Sequence, residues 1–194
     1  MEYTHPMLVL KAARWLSDQG YCPVLSEFTS SITEIPDAIG WRDDKSCLVE
    51  VKSSRADFLA ESRDKLFRRQ PEAGVGKLRY FMAPSSVIGI EDLATPLLNL
   101  WGLLHFDGGE VKVVKKARAQ KFNQEQEIAM LASALRRVHV RINPMTLKEF
   151  FRADSENAVR PLYVVKAGQR RPVIQLKVDS TATESGVMQE TGVS

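Results

Sequence analysis

The sequence predicts an α/β fold in which helices flank a central mixed β-sheet. Apolar residues recur at helical spacing in residues 6–19 and again in residues 124–140. Between these segments lie short runs rich in β-branched and aromatic residues, bounded by turn-forming residues, as is typical of strands. Helices and strands mixed along one chain exclude a β-sandwich and a helical bundle.

The first half of the chain is expected to form two helices separated by strands. Thr4 can cap the first helix, Pro6 suits its first turn, and Gly20 suits the position after its end. Ser54 and Asp57 have the spacing of a capping box, which indicates the start of the second helix. The elements predicted in this half are helix 6–19, strands 24–30, 36–41 and 47–53, and helix 54–69.

The second half is expected to add a strand, a hairpin and an amphipathic helix. Asp107, Gly108 and Gly109 lie between two strand-like runs and indicate a tight turn. The predicted elements are strand 78–83, a short helix within 90–100, strands 103–106 and 111–114, helices 124–140 and 145–152, and strands 162–166 and 173–178. The apolar stripe of helix 124–140 consists of Ile128, Leu131, Leu135 and Val138.

Length and composition set the broad class. The 194 residues exceed one typical domain of about 150 residues, so we expect a core with an extension. We divide the chain into a core at 1–120, a C-terminal helical and β extension at 121–179, and a disordered tail at 180–194. With 44% hydrophobic and 26% charged residues, general disorder is excluded. The net charge of +3 is compatible with a nucleic-acid partner.

Cysteine usage and hydropathy indicate the compartment. Cys22 and Cys47 form neither a disulfide framework nor a zinc-type pair, which favours a reducing environment. Every apolar stretch is shorter than the ~20 residues that a membrane span needs, and a signal peptide is not evident. We therefore expect a cytoplasmic protein without a membrane partner.

Acidic residues and a lysine meet in the predicted sheet. Glu50 and Lys52 are two apart on a nearly continuously apolar strand, so they project from the same face. Burying them is costly unless something compensates their charges. A divalent cation would do so, because Asp37 and Glu50 supply oxygen ligands that suit Mg²⁺, with Mn²⁺ as a substitute, and the Val51 carbonyl adds another. Lys52 would then stabilise negative charge on a phosphate, as phosphodiester hydrolysis requires.

These residues resemble a known signature. Pro36-Asp37 and, thirteen positions after Asp37, Glu50-Val-Lys resemble the PD-(D/E)XK motif of restriction-endonuclease-like nucleases. The run Glu-Val-Lys-Ser-Ser-Arg-Ala-Asp-Phe at 50–58 is similar to that of MmcB-type DNA-repair-related proteins, and Tyr-Phe-Met-Ala-Pro at 80–84 resembles their next strand. The resemblance covers residues 6–115.

The resemblance implies a restriction-endonuclease-like core and a metal-dependent nuclease acting on DNA. It implies that Asp37 and Glu50 bind the metal and that Lys52 is the catalytic lysine. Glu27 lies where relatives carry an additional acid near the metal. Related nucleases often dimerise to cut two strands, so a homodimer is compatible with this interpretation.

Each of these residues also has a plainer explanation. Asp37 can be a turn residue after proline. Glu50 and Lys52 can lie on the solvated face of an edge strand, and Glu27 can be an ordinary exposed acid. Asp57 is better explained as a helix-start residue than as a catalytic one. Spare candidates for the additional acid are Glu2 and Glu34, while His5, His105 and His139 lack metal-ligand spacing and are interpreted as structural or surface residues.

Clusters of basic residues favour contact with a phosphate backbone. Residues 112–141 contain eight Lys or Arg against two Glu, a local surplus of +6. A second cluster lies on the helix after the motif. A solvated helix face, or a hairpin edge protected by lysine, explains either cluster equally well. The candidate nucleic-acid-binding residues are Arg63, Lys65, Arg68, Arg69, Lys115 and Lys116.

Other functions fit the same sequence. A non-catalytic DNA-binding or partner-binding module could retain the fold, and the same metal site could serve an RNA-directed nuclease. A scaffold that docks a partner through helix 124–140 is a further alternative.

Overall fold

The structure, a computed structural model, describes residues 3–32, 34–64, 70–141 and 163–164. At 61–64, 139–141 and 163–164 the backbone alone is described. The helices are α1 (His5–Asp18), α2 (Arg55–Asp64) and α3 (Gln124–Arg141). The strands are β1 (Val24–Ser26), β2 (Ala38–Arg42), β3 (Lys45–Val51), β4 (Leu78–Ala83), β5 (Gly102–His105), β6 (Lys112–Lys115) and β7 (Tyr163–Val164).

The strands form one mixed sheet in the order β6-β5-β4-β3-β2-β1-β7. Strands β3, β4 and β5 are parallel, while β2 is antiparallel to both β1 and β3. Strand β6 completes the predicted hairpin with β5, and β7 lies parallel to β1. The prediction of an α/β fold with a mixed sheet is therefore confirmed.

Local signals located most elements well. Helix α1 matches the prediction, with Pro6 in its first turn and Gly20 at a φ of 82° just after its end. Strand β4 has the predicted bounds, whereas β1 ends four residues earlier than expected, at Ser26. The short helix predicted within 90–100 is a 3₁₀ turn at Ile90–Leu93.

Several predictions fall outside the described residues. They are the last turns of the second helix at 65–69, the helix at 145–152, the strand at 173–178 and the tail at 180–194. Of the strand predicted at 162–166, the structure describes Tyr163–Val164, which is extended.

The core consists of two apolar layers, one on each face of the sheet. Leu8 and Leu16 of α1 pack with Val49 and Val51 on one face. The other face buries a second set that includes side chains from α2 and α3. This second layer contains Leu48, Phe58, Phe81, Leu103 and Met130.

Helix α3 presents a different face to the core than its apolar stripe predicts. Ile128 and Leu135 are both 58% exposed, whereas Met130 is fully buried and Glu127 is 5% exposed. The Glu127 carboxylate accepts hydrogen bonds from the sheet and the loop before β4, so this acid faces inward. The expectation that Ile128 and Leu135 belong to a buried stripe is therefore wrong, because a buried acid sets the rotation of the helix.

Two findings bear on the expected compartment. Cys22 and Cys47 are both free thiols, as predicted. Among the helices that the structure describes, none is both long and apolar enough to cross a membrane.

Candidate functional site

Three carboxylates line up across β1, β2 and β3. The last antiparallel pair of β2 with β3 joins Ala38 to Val49, and one step further Asp37 falls opposite Glu50. The register of β1 with β2 places Glu27 opposite Asp37 in the same way, and the Glu27 N–H donates to the Asp37 carbonyl at 3.1 Å. Asp37 and Glu50, directly opposite each other in antiparallel register, share a face of the sheet, whereas Glu27 has a φ of 45° and belongs to the row by its backbone position alone. We call Glu27, Asp37 and Glu50 the carboxylate row.

The Asp37 carboxylate is bound to the backbone of β3. Its Oδ2 accepts a 2.7 Å hydrogen bond from the Val51 N–H, which ties the start of β2 to the end of β3. An extended residue directs its N–H and C=O toward the same neighbouring strand, so the Val51 carbonyl is expected to face Asp37 as well. The Asp37 side chain is only 16% exposed. These contacts go beyond what a turn residue after proline would make.

His5, at the start of α1, completes the exposed side of the site. Its Nε2 lies 3.4 Å from Asp37 Oδ1 and 3.9 Å from Glu27 Oε1. The hydrogen bond to Asp37 raises the pKa of His5, desolvation opposes this, and the charges of Asp37, Glu27 and Asp57 raise it further. His5 therefore carries positive charge beside the carboxylates over a wider pH range than a free histidine. No spacing in the sequence indicated this role, since His5 reaches the site through the packing of α1.

Glu50 and Lys52 lie at the inner end of the site. They are 2% and 5% exposed, Glu50 on the central strand β3 between β2 and β4 and Lys52 directly after its end, so the edge-strand explanation is wrong. The Lys52 ammonium lies 3.8 Å from Asp57 Oδ1 in the first turn of α2. The Asp57 N–H donates a 3.2 Å hydrogen bond to the Ser54 Oγ, so Ser54 caps the helix. Asp57 is thus the helix-start residue that was expected, and in addition it faces the lysine.

An ion pair joins α2 to the loop after β4. Arg55 Nη1 and Nη2 donate to the two carboxylate oxygens of Asp92 at 2.5 and 2.6 Å, and Nη1 also donates to the Val87 carbonyl at 3.2 Å. The hydrogen bond from Arg55 lowers the pKa of Asp92. This bidentate contact fixes the start of α2, which carries Asp57, against the carboxyl ends of the parallel strands.

Of the predicted basic residues, the two whose side chains the structure describes, Lys115 and Lys116, lie away from this site. Lys115 ends β6 and Lys116 follows it, at the far edge of the sheet, three strand spacings or about 14 Å from β3. The Lys115 ammonium donates to the Asn99 carbonyl at 2.8 Å, and desolvation, with a smaller effect of Arg118, lowers its pKa. Arg63 is described by its backbone alone, and Lys65, Arg68 and Arg69 lie outside the described residues.

The remaining acids and histidines have other positions. Glu34 accepts a 2.9 Å hydrogen bond from the Val75 N–H and is 7% exposed, which is a structural role. His105 Nε2 lies 2.9 Å from the Ile88 carbonyl. Glu2 and the side chain of His139 are outside the described residues.

The donor set of the site limits which cation it suits. Within the side chains that the structure describes, no group of three or more His, Cys, Asp or Glu could hold a metal ion. The available oxygens are the carboxylates of Asp37 and Glu50 and the expected carbonyl of Val51. Mg²⁺ commonly uses one or two carboxylates and keeps several waters, so this set suits Mg²⁺ better than a metal that needs a full protein cage.

Comparison with known proteins shows the fold alone. No protein-family model and no curated protein matches the sequence. The structure is similar to that of SPO1766, a protein of unknown function from Silicibacter pomeroyi, with a TM-score of 0.52 and 18% sequence identity. The match covers 82% of this chain and 100% of that chain. At this identity the two proteins share an architecture, a mixed sheet with flanking helices.

Proposed function

We propose that this protein is a metal-dependent nuclease that hydrolyses phosphodiester bonds in DNA. The observation that carries the proposal is the carboxylate row with Lys52 beside it: Asp37 opposite Glu50, and a buried lysine two positions further along β3. These are the residues on which the resemblance to the PD-(D/E)XK nucleases rests. That resemblance, to repair-related proteins, favours DNA over RNA.

Backbone contacts fix the positions of the acids that this chemistry needs. The Val51 N–H fixes the Asp37 carboxylate, and the pairing of β2 with β3 sets its distance from Glu50. Asp37, Glu50 and the Val51 carbonyl would hold Mg²⁺, which when bound neutralises phosphate charge and lowers the pKa of water. Lys52 is shielded from bulk water, so its ammonium stabilises negative charge on the phosphate more strongly than an exposed lysine would.

Two residues outside the motif contribute as well, Asp57 through its contact with Lys52 and His5 through its contact with Asp37. Asp57 faces the Lys52 ammonium at 3.8 Å and favours its position at the start of α2. His5, whose pKa is raised by its hydrogen bond to Asp37, reduces in its protonated form the repulsion that the acids at the entrance exert on an anionic substrate. Both residues extend the set that the motif implies.

A non-catalytic DNA-binding or partner-binding module is the second candidate, and one observation favours it. Glu50 and Lys52 are 2% and 5% exposed, so little of either side chain meets solvent. A nuclease would need the entrance at His5, Glu27 and Asp57 to admit the phosphate. A binding module would need no such access.

A cleavage panel tests the proposal. The wild type is incubated with single-stranded, nicked, branched and duplex DNA and with RNA, each with Mg²⁺ or Mn²⁺. We expect cleavage of DNA, and a loss of roughly 100-fold or more in Asp37→Asn, Glu50→Gln and Lys52→Met. Calorimetry should show weaker Mn²⁺ binding in the two acid variants and near-normal binding in Lys52→Met.

The exposed ion pair between Asp44 and Lys77 provides matched controls. Its atoms lie 2.9 Å apart near the start of β3, at the opposite end of the strand from Glu50. Asp44→Asn and Lys77→Met make the same chemical changes and should leave cleavage intact. Full activity in any folded variant of the three site residues would refute the proposal. DNA binding by the wild type without cleavage or cation binding would favour the second candidate.

A further inference from the structure

We propose that Arg137 of α3 is a positioning residue for the carboxylate row, holding the connection between β1 and β2 that carries Glu27 and Asp37. The inference rests on the proposed function for its catalytic consequence. Its structural part, that a helix in the C-terminal extension sets the geometry of the site, stands apart from that function.

Arg137 contacts two successive residues directly after Glu27. Its guanidinium carbon lies 4.3 Å from the centroid of the Phe28 ring, and its Nη2 donates a hydrogen bond to the Thr29 carbonyl. Phe28 is 3% exposed and belongs to the apolar layer beneath α2 and α3. The arginine therefore holds both a side chain and the backbone at the beginning of this connection.

The same connection orients Glu27 and Asp37, two of the three acids of the row. Glu27 has a φ of 45°, in the left-handed region, so the chain turns sharply at this residue. Its N–H donates at 3.1 Å to the carbonyls of both Pro36 and Asp37. A displacement of the backbone at Phe28 would therefore move the Glu27 carboxylate and the start of β2 together.

Helix α3 is itself anchored, so Arg137 extends from a rigid support. Ten residues before it, the Glu127 carboxylate accepts hydrogen bonds from Ser46, Gly76 and Trp41. Met130 is fully buried in the same layer as Phe28. Helix α3 thus joins the end of β2 and the start of β3 to the β1–β2 connection. We therefore count it as a structural part of the site.

The test compares two neighbouring arginines. Arg137→Ala removes the contacts to the connection, whereas Arg136→Ala removes the same charge from a residue whose Nη2 donates within the helix, to Ser133 Oγ at 3.1 Å. Histidine ring signals are recorded by two-dimensional ¹³C–¹H NMR at one fixed pH, and the chain has only three histidines to resolve. His5, 3.9 Å from Glu27 and 3.4 Å from Asp37, reports on the row.

We expect Arg137→Ala to displace the His5 signal and leave the His105 signal in place. Cleavage should fall roughly tenfold in kcat with little change in KM, the size expected for losing one charge-assisted hydrogen bond. Arg136→Ala should match the wild type in both measurements, and Arg137→Lys, which keeps a cationic donor, should recover part of the loss.

The proposal is overturned if the His5 signal in folded Arg137→Ala coincides with that of the wild type, or if Arg136→Ala moves it equally. A wild type that cleaves no nucleic acid would refute the nuclease function. The His5 comparison would still decide the positioning role in that case, so the two failures are distinguishable.

Discussion

Replacing Glu127 tests whether α3 belongs to the folded core. This side chain is 5% exposed, and its carboxylate accepts three hydrogen bonds. Oε1 accepts from Ser46 Oγ and from the Gly76 N–H, both at 2.7 Å, and Oε2 accepts from the Trp41 indole at 3.0 Å. Glu127→Ala leaves the donors of Ser46 and Gly76 buried without an acceptor, while Trp41, which is partly exposed, can turn to water.

The magnitude follows from these contacts. A buried donor left without its acceptor costs about 1–3 kcal/mol, so Glu127→Ala should lower the free energy of unfolding by roughly 4 kcal/mol. Glu127→Gln keeps Oε1 in place and sets an amide N–H against the Trp41 N–H, so it should cost only about 1–2 kcal/mol. Since natural domains are stable by about 5–15 kcal/mol, the alanine variant should lose between about a quarter and four fifths of its free energy of unfolding.

Urea denaturation followed by circular dichroism measures both variants, and thermal scans provide a second readout. A loss of 1 kcal/mol shifts the Tm of a protein of this size by about 2–4 °C, so the two variants should separate clearly. Equal losses in Ala and Gln, or a loss below about 1 kcal/mol in Ala, would refute the interpretation that Glu127 anchors the helix.

Two further predictions concern His5 and Gly102. The pKa of His5 is raised in the folded state by Asp37, so its stabilisation is present below its unfolded pKa and is lost as pH rises through the folded value. His5→Gln should therefore destabilise the protein more at about pH 5.5 than at about pH 9, and an equal loss at both would contradict this. A Cβ added at Gly102 would lie 2.2 Å from Tyr80 Cε1, so Gly102→Ala should cost about 1–3 kcal/mol in urea denaturation. Gly109→Ala is the control, since nothing lies within 4 Å of its added Cβ, and a loss as large as that of Gly102→Ala would argue against the packing explanation.

Much of the fold was predictable because its signals are local. The bounds of β4 follow from a short apolar run closed by Pro84, and the hairpin follows from Asp107, Gly108 and Gly109. Helix α3 was also predictable, but its rotation was not. Periodicity measures only which side of a helix is apolar, and it gives no weight to a single acid such as Glu127 whose partners are in the sheet.

Some residues of the candidate site were likewise predictable from the sequence, and others were not. Asp37, Glu50 and Lys52 were identifiable from spacing, since two residues on one strand share a face and the next strand pairs in register. His5 was not identifiable, because its contact with Asp37 joins α1 to β2 across 32 positions of sequence. The basic residues at Lys115 and Lys116 were chosen by local charge, yet their strand lies at the far edge of the sheet.

The sequence by itself determined the order of helices and strands and the two positions on β3 that bear an acid and a lysine, because turn chemistry and side-chain periodicity act over a few residues. Only the tertiary structure decided that His5 lies beside Asp37 and Asp57 beside Lys52, and that α3 holds the sheet through Glu127, whose contact with Trp41 spans 86 positions. Such contacts depend on how whole helices and strands pack against one another. A pattern that spans a few residues of sequence does not determine that packing.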